Sequence, residues 1–178
     1  HYRARKLSEQ GHEVKLMAPQ FVKPYVKANK TAAADAEATC EAVTRPTMRF
    51  VPIKSIEQHA VLSMHRARSG FVKSRTAQAN QIRGLLGEFG IVLPQGIVHV
   101  AKRLPDIIED AANGLPVVFR ELLLRLRSYL LELNRQIKAL ENQIATWHKS
   151  NTESQRLAGI PGVGVLTASA QAASIGDA

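Results

Sequence analysis

The stretch that organises this 178-residue chain lies near its start and reads Asn29-Lys30-Thr31-Ala32-Ala33-Ala34-Asp35-Ala36-Glu37-Ala38. Thr31 is a favourable N-cap for an alanine-rich helix, and Pro46 helps to end that helix. Asp35 then lies in or just past the first helical turn, and Ala32 lies three residues before it on the same face. The stretch therefore predicts a helix with a polar start, which an extended segment at residues 48–51 follows.

The composition indicates a folded and strongly basic protein. Hydrophobic residues make up 45% of the chain, which argues against general disorder. The net charge of +9 and a pI near 10.1 predict a polyanionic partner, although a basic protein without such a partner is the alternative. The single cysteine, Cys40, excludes an internal disulfide, and we expect it to be a small buried residue.

The sequence gives no sign of a membrane or a secretory route. No apolar run is long enough to span a bilayer, and the start lacks a signal-peptide pattern. We therefore expect a cytoplasmic protein without a membrane partner. The chain begins at His1 rather than at a methionine, so we also expect it to be a piece of a longer protein.

The predicted fold class is α+β, mostly helical, in three parts. Two short strands, at residues 13–17 and 48–51, alternate with helices and predict a partial α/β layer over residues 1–54. Residues 55–150 are expected to form an antiparallel, coiled-coil-like helical region. Residues 151–178 begin a third part.

Basic side chains dominate the helix predicted at residues 55–89. No acidic residue lies between Glu57 and Glu88, and ordinary solvated helix faces usually mix both signs. We therefore favour contact with a nucleic-acid backbone over a solvated face. The candidate residues are Arg66, Arg68, Lys73, Arg75 and Arg83.

Two apolar stripes are expected to pack the helical region. On the first helix the stripe includes Ile56, Ile82 and Phe89, with Gln78 as an interruption. A short helix opens at Pro105, and the longest helix follows at residues 116–147. The stripe of the longest helix comprises Val118, Leu122, Leu126, Tyr129, Leu133, Ile137, Leu140, Ile144 and Trp147. An intramolecular hairpin with the first helix and a homo-oligomer contact both fit these stripes.

A glycine-rich turn closes the predicted structure. After a polar linker at residues 151–155, Ile160-Pro161-Gly162-Val163-Gly164 precedes a helix of small residues. Gly162 and Gly164 would let a turn approach a phosphate, and the following helix would offer free N–H groups, as in a helix-hairpin-helix. A glycine-rich turn without a ligand is the alternative.

Several of these segments, in this order, resemble the bridge-RNA-guided insertion-sequence transposases of the "IS one-ten" type, which have a RuvC-like catalytic domain with four acids. That family carries a Lys-(Thr/Asn)-Asp-x-x-Asp-Ala-Glu-Ala pattern, and residues 30–38 are similar to it. The other matching segments are residues 1–5, 45–52, 78–94 and 160–164.

The resemblance implies a catalytic role for one residue, but this chain departs from the family pattern at a second position. Asp35 matches the final acid of the family's cluster, whereas Ala32 stands where its partner aspartate belongs. The first two acids would lie before residue 1, and the family's serine nucleophile would lie downstream. The parent family uses Mg²⁺, but we expect none to bind here, since a lone carboxylate is a poor magnesium site.

The resulting hypothesis is an inactive, nucleic-acid-binding fragment or degenerate copy of such a transposase. Its expected partners are DNA, a guide (bridge) RNA and a second copy of the chain, which would pair through helices 55–89 and 116–147. Its expected location is the cytoplasm, in association with the nucleoid. The alternative is a helical oligomerisation module that binds no nucleic acid.

Overall fold

The structure is a computed structural model that describes residues 1–26 and 31–175. It is mostly helical, as the sequence predicts. The first two residues of the organising stretch, Asn29 and Lys30, lie outside the described residues, as does the end of the chain after residue 175. Within the described part of the chain, no helix is both long and apolar enough to cross a bilayer.

The helices and strands follow one another in a simple order, with two short 3₁₀ turns at Lys23–Tyr25 and Ala111–Asn113. The strands are β1 (Leu16–Met17) and β2 (Phe50–Val51). The helices are α1 (Tyr2–Glu9), α2 (Pro19–Val22), α3 (Ala32–Val43), α4 (Ile56–Gly87), α5 (Ile97–Glu109), α6 (Val117–Ser150), α7 (Thr152–Ala158) and α8 (Val165–Ile175).

The chain divides into two compact units. Of the described residues, the first comprises 1–26, 31–59 and 171–175, and the second comprises 60–170. The three-part division at residues 54 and 150 and the RuvC-like character of the first part stay predictions.

The first unit holds a small antiparallel sheet. β1 pairs with β2 in the register Leu16 to Val51 and Met17 to Phe50, so both strands are shorter than predicted. The Arg5 guanidinium donates to the Lys54 carbonyl across 2.6 Å, which ties α1 to the segment after β2. These contacts join parts of the chain that are distant in sequence.

Helix α3 packs through alanines rather than through its cysteine. Ala38 and Ala42 are fully buried and lie one turn apart on the same face of the helix. Cys40 is exposed, so the expectation that it is buried is wrong. Cys40 lies halfway between the two alanines, and a two-residue step turns a helical side chain toward the opposite face.

The second unit has a core in which three helices meet. The end of α4, the middle of α5 and the first half of α6 bury a continuous apolar cluster. Its buried members are Ala79, Ile82, Leu86, Leu93, Val100, Leu104, Leu115, Phe119, Leu123 and Leu130.

Helices α4 and α6 run antiparallel and contact each other through polar side chains. Arg68 of α4 bonds to Glu141 of α6, and Arg75, seven residues later, bonds to Asn134, seven residues earlier. The Gln78 amide donates to the Leu126 carbonyl across 3.2 Å. This hydrogen bond satisfies the buried Gln78, which therefore belongs to the packed face of α4 instead of interrupting it.

The buried stripe of α6 is shifted from the predicted one in its first half. Phe119, Leu123 and Leu130 are buried there, whereas Val118 is 73% exposed and Tyr129 is 51% exposed. This half of the helix carries leucines on all sides, so the sequence alone does not show which face packs against the core. In the second half Leu133, Ile137 and Ile144 are buried, as predicted.

Two predicted boundaries were wrong. Helix α5 begins at Ile97, eight residues before the predicted start, and Pro105 lies inside it. The predicted linker at residues 151–155 is instead the start of α7. There the Asn151 side chain accepts a hydrogen bond from the Ser154 N–H across 2.7 Å, which is a helix N-cap.

One arginine holds the connection between α5 and α6. The guanidinium of Arg120 donates to oxygen atoms on α5 and on the loop that follows it. The acceptors are the carbonyls of Leu115, Ile107, Ile108 and Asp110 and the side-chain oxygen of Asn113. Carbonyls at a helix C-terminus lack helical partners, so Arg120 acts as a side-chain cap for α5.

Replacing this cap should destabilise the second unit. We expect Arg120→Met to lower the free energy of unfolding by roughly 2–4 kcal/mol, because several carbonyls lose a charged donor at once. Urea denaturation followed by circular dichroism measures the change. Arg125→Met, at an exposed position of the same helix, is the matched control and should change stability by about 0.5 kcal/mol or less. Equal effects of the two substitutions would contradict the role of Arg120.

Candidate nucleic-acid interface

Asp35 lies where the sequence places it, in the first turn of α3. The Thr31 hydroxyl accepts a hydrogen bond from the Ala34 N–H across 3.2 Å and so caps the helix. The Asp35 side chain is exposed, and Ala32 is the first residue of the helix. An acid at a helix N-terminus is favoured by the helix dipole, whatever its other role.

An open groove of about 830 Å³ lies beside Asp35 in the first unit. Among the described residues, its charged lining consists of Asp35, Lys15 and Lys23, with apolar side chains such as Met17 between them. Magnesium needs several oxygen ligands, and one carboxylate beside two ammonium groups does not provide them. The residues present therefore do not fit a magnesium site. Among residues 1–26 and 31–175, no group of three or more histidine, cysteine or acidic side chains could hold a metal.

Two of the predicted nucleic-acid-binding residues point away from the core. Arg66 and Lys73 are exposed on α4 and lie seven residues apart, so they share one face of the helix. Neither takes part in an ion pair within the described part of the chain. Both are free to meet a phosphate.

The other three basic residues of α4 bond within the protein. Arg68 forms an ion pair with Glu141 at 2.6 Å, in which both side chains are less than a third exposed. Arg75 donates to the Asn134 side-chain oxygen across 3.1 Å, and Arg83 donates to a backbone carbonyl across 3.3 Å.

The basic residues of α4 are therefore not all available to a partner. The interval lacks acids along the sequence, but α6 supplies one from across the helix pair. Successive residues advance by about 100° around a helix, so Arg68 and Arg75 face the side opposite Arg66 and Lys73.

The glycine-rich turn connects α7 to α8 at the surface. Gly162 has φ of 87°, a left-handed conformation that favours glycine, and Val163 donates to the Ile160 carbonyl across 3.0 Å. Gly164 precedes α8, and its carbonyl accepts from Ala168. A side chain added at Gly162 or Gly164 would meet open space. Phosphate contact at this turn stays a prediction.

A second groove, which the sequence analysis missed, lies among α4, α5 and α6. We call it the α5 groove; it measures about 680 Å³. It was missed because α5 begins earlier than predicted, which places the exposed Lys102 on a helix opposite Arg75. Its lining comprises Arg75, Ile97, Val98, Ala101, Lys102 and Asn134.

His65 joins α4 to α8 inside the second unit. Its Nε2 lies 3.1 Å from the Ser169 hydroxyl, which itself donates to the Val165 carbonyl across 2.7 Å. The hydroxyl has one proton, so Nε2–H must be the donor to it. Burial lowers the pKa of the His65 imidazole from its usual 6.5, and the positive charge of Arg68 lowers it further.

The chain is similar over nearly its whole length to proteins named as transposases. A Pseudomonas aeruginosa protein named "Probable family 20 transposase" is 50% identical over 100% of this chain and 53% of its own length. The transposase for insertion sequence element IS1328 of Yersinia enterocolitica is 42% identical, over 99% of this chain and 52% of its own. The transposase for insertion sequence element IS1111A of Coxiella burnetii is also 42% identical, over 94% and 46%.

These comparisons concern only part of each relative. The chain spans about half the length of the curated relatives it matches. No protein-family model matches the chain, and no solved structure matches it at a significant level.

The lowered pKa of His65 makes stability depend on pH. Below pH 6.5 the unfolded chain takes up a proton that folded His65 resists, so the unfolded state binds more protons. Stability should therefore fall as the pH drops from above 6.5 toward the lower folded pKa. His65→Gln keeps a donor for Ser169 but does not titrate. We expect its melting temperature to fall less than that of the wild type between about pH 7.5 and 5.5. An equal fall in both proteins would contradict the assignment.

Proposed function

We propose that this chain is the nucleic-acid-binding part of an insertion-sequence transposase and that it is catalytically inactive by itself. The observation that carries the proposal is 42–50% identity to proteins named as transposases, over nearly the whole chain. The matched segment is basic, with a net charge of +9, which favours a polyanionic partner. DNA is the proposed substrate class.

The finer assignment is to the bridge-RNA-guided type with a RuvC-like domain. It is supported by the segment that carries Asp35 and by the glycine turn at residues 160–164, which occur in the order typical of that type. On this proposal the second partner is a guide RNA, and the chain works in the cytoplasm beside the nucleoid.

The proposed inactivity follows from the surroundings of Asp35. Strand transfer with two metal ions needs several carboxylates that hold the ions a few ångströms apart. Ala32 offers no carboxylate, and Lys15 and Lys23 line the same groove as Asp35. The Lys15 ammonium already pairs with Glu13 across 3.0 Å, and the Lys23 ammonium beside a single acid would oppose the binding of a divalent cation.

The 178-residue chain should not cleave or exchange DNA strands with Mg²⁺ present. We also expect Ala32→Asp to remain inactive, because two carboxylates beside two lysines still do not complete a two-metal site. A gel assay with labelled DNA and guide RNA would measure strand cleavage over several hours. Strand exchange by either protein that depends on the DNA sequence would refute the proposed inactivity.

The proposed binding surface is the outer face of α4. Arg66 and Lys73 are exposed there and carry no internal ion pair among the described residues, unlike Arg68. Phosphate contacts of this kind release counterions, so binding should weaken steeply with salt. Arg68 and Arg83 would contribute mainly through their bonds within the protein, which hold the helix that presents this face.

A salt titration tests the binding surface. We expect wild-type affinity for DNA and RNA to fall with salt, and the double variant Arg66→Gln/Lys73→Gln to lower the log-log slope by roughly 0.7–0.9 per lost phosphate contact. Fluorescence anisotropy with labelled oligonucleotides between about 50 and 200 mM salt measures both. Arg125→Gln/Lys149→Gln removes the same two charge types from exposed positions of α6 and is the control.

The titration tests nucleic-acid binding separately from the assignment of that binding to α4. Absence of any salt-dependent binding by the wild type would refute nucleic-acid binding. Equal slopes for the α4 variant and the control would refute only the assignment to α4.

The alternative, a helical oligomerisation module, has one observation in its favour. The first half of α6 exposes apolar side chains on both flanks of its buried stripe, and such a helix can bury more surface against a second copy. The exposed residues are Val117, Val118, Leu122, Leu124, Tyr129 and Leu131. Light scattering alongside the titration distinguishes the two, since an oligomer without salt-dependent binding would favour this alternative.

A further inference from the structure

The α5 groove combines two cations, an amide and an apolar wall. Lys102 is exposed and makes no ion pair among the described residues. Ile97, Val98 and Ala101 form the wall on the same helix, and Val98 is 74% exposed. None of the described residues that line the groove is acidic. Its volume lies within the range of roughly 300–1,000 Å³ that is typical of ligand sites.

The hydrogen bond between Arg75 and Asn134 fixes the orientation of the Asn134 side-chain amide. A guanidinium can only donate, so the 3.1 Å contact requires the carbonyl oxygen of Asn134 to point at Arg75. The amide NH₂ of Asn134 is then left as a donor. Asn134 thus adds a donor, and not an acceptor, to the groove.

One donor of Arg75 has no acceptor among the residues that the structure describes. Its Nε is buried and has no hydrogen-bond partner. A buried N–H without a partner is unfavourable, and native structures usually pair such groups with protein, water or a bound ion. The polar side chains that line the α5 groove are Arg75, Lys102 and Asn134. Each carries N–H donors, two of the three are cationic, and an anion with several acceptor oxygens matches them.

We propose that the α5 groove binds a backbone phosphate of nucleic acid, held by Lys102, Arg75 and the amide of Asn134. The adjoining sugar then packs against Val98. An acidic peptide would also supply oxygen acceptors, but the net charge of +9 and the free Arg66 and Lys73 of α4 favour a polyanionic chain with regularly spaced charges. This inference rests on the proposed nucleic-acid binding and adds a specific subsite to it.

The first experiment compares variants of similar shape in the salt titration. Lys102→Gln should lower the log-log slope by about 0.7–0.9, the value for one phosphate, while Lys149→Gln at the end of α6 should not. Asn134→Asp turns the remaining donor into an acceptor and gives Arg75 an ionic partner. We expect Asn134→Asp to weaken binding at least as much as Lys102→Gln without lowering the melting temperature.

The second experiment observes Arg75 directly. In a ¹H–¹⁵N NMR spectrum of the full chain, the Arg75 Nε–H signal is identified by its loss in Arg75→Lys. We expect this signal to shift when a short oligonucleotide saturates the protein, and to shift in the same direction with inorganic phosphate at higher concentration. Poly-glutamate at the same ionic strength should leave it unchanged.

Each outcome bears on the proposal. If poly-glutamate shifts the signal as the oligonucleotide does, the groove is a site for acidic peptides and the nucleic-acid assignment is overturned. A shift with inorganic phosphate alone identifies a free-phosphate site, which also overturns it. If the wild type binds nucleic acid but Lys102→Gln matches Lys149→Gln and the signal stays fixed, the subsite fails while the proposed function stands. Absence of any nucleic-acid binding by the wild type overturns both.

Discussion

The antiparallel register of α4 against α6 is the constraint on which the second unit depends. Arg68 bonds to Glu141, and Arg75 bonds to Asn134. Each pair of residues on one helix is seven positions apart, so both bonds form together in this alignment of the two helices. A partly exposed ion pair contributes little net stability, on the order of 1 kcal/mol or less. Its larger effect is on specificity, because a shift by one turn would leave a half-buried guanidinium opposite apolar side chains.

This register decides which basic side chains are available to a partner. Arg68 and Arg75 point toward α6, and the same helical rotation turns Arg66 and Lys73 outward. Internally bonded and exposed basic side chains therefore alternate along one helix that carries a single sign of charge over most of its length. The α5 groove lies beside this inner set, and the partly buried Arg75 both bonds to Asn134 and lines the groove.

Features that depend on a local sequence pattern could be predicted from the sequence, whereas contacts between residues distant in the chain could not. The capped start of α3 and the long α6 follow from Thr31 and from helical periodicity, and both are confirmed. The inward face of early α6 was not predictable, because Leu122, Leu124 and their neighbours make that half apolar all round. The partner of Arg68 was not predictable either, since Glu141 lies 73 residues away in the chain.

The candidate functional residues could likewise be predicted only where each depends on a single helix. Asp35 and the exposed residues of α4 could be named from the sequence, because each depends on its own helix. The α5 groove could not, since it needs three helices and a correct start for α5. Pro105 misled the prediction because proline favours the first turn of a helix, whereas here the helix continues through it.

That proline also has a mechanical consequence for α5. Pro105 has no N–H to give to the Ala101 carbonyl, so the helix lacks one rung of its hydrogen-bond ladder between its two halves. Proline positions are where helices bend most readily. The half before Pro105 carries Ile97, Val98 and Lys102, whereas Arg120 anchors the other end of the helix. A bend at this point would move the wall of the groove relative to the anchored end, and the fully buried Val100 and Leu104 would have to move with it.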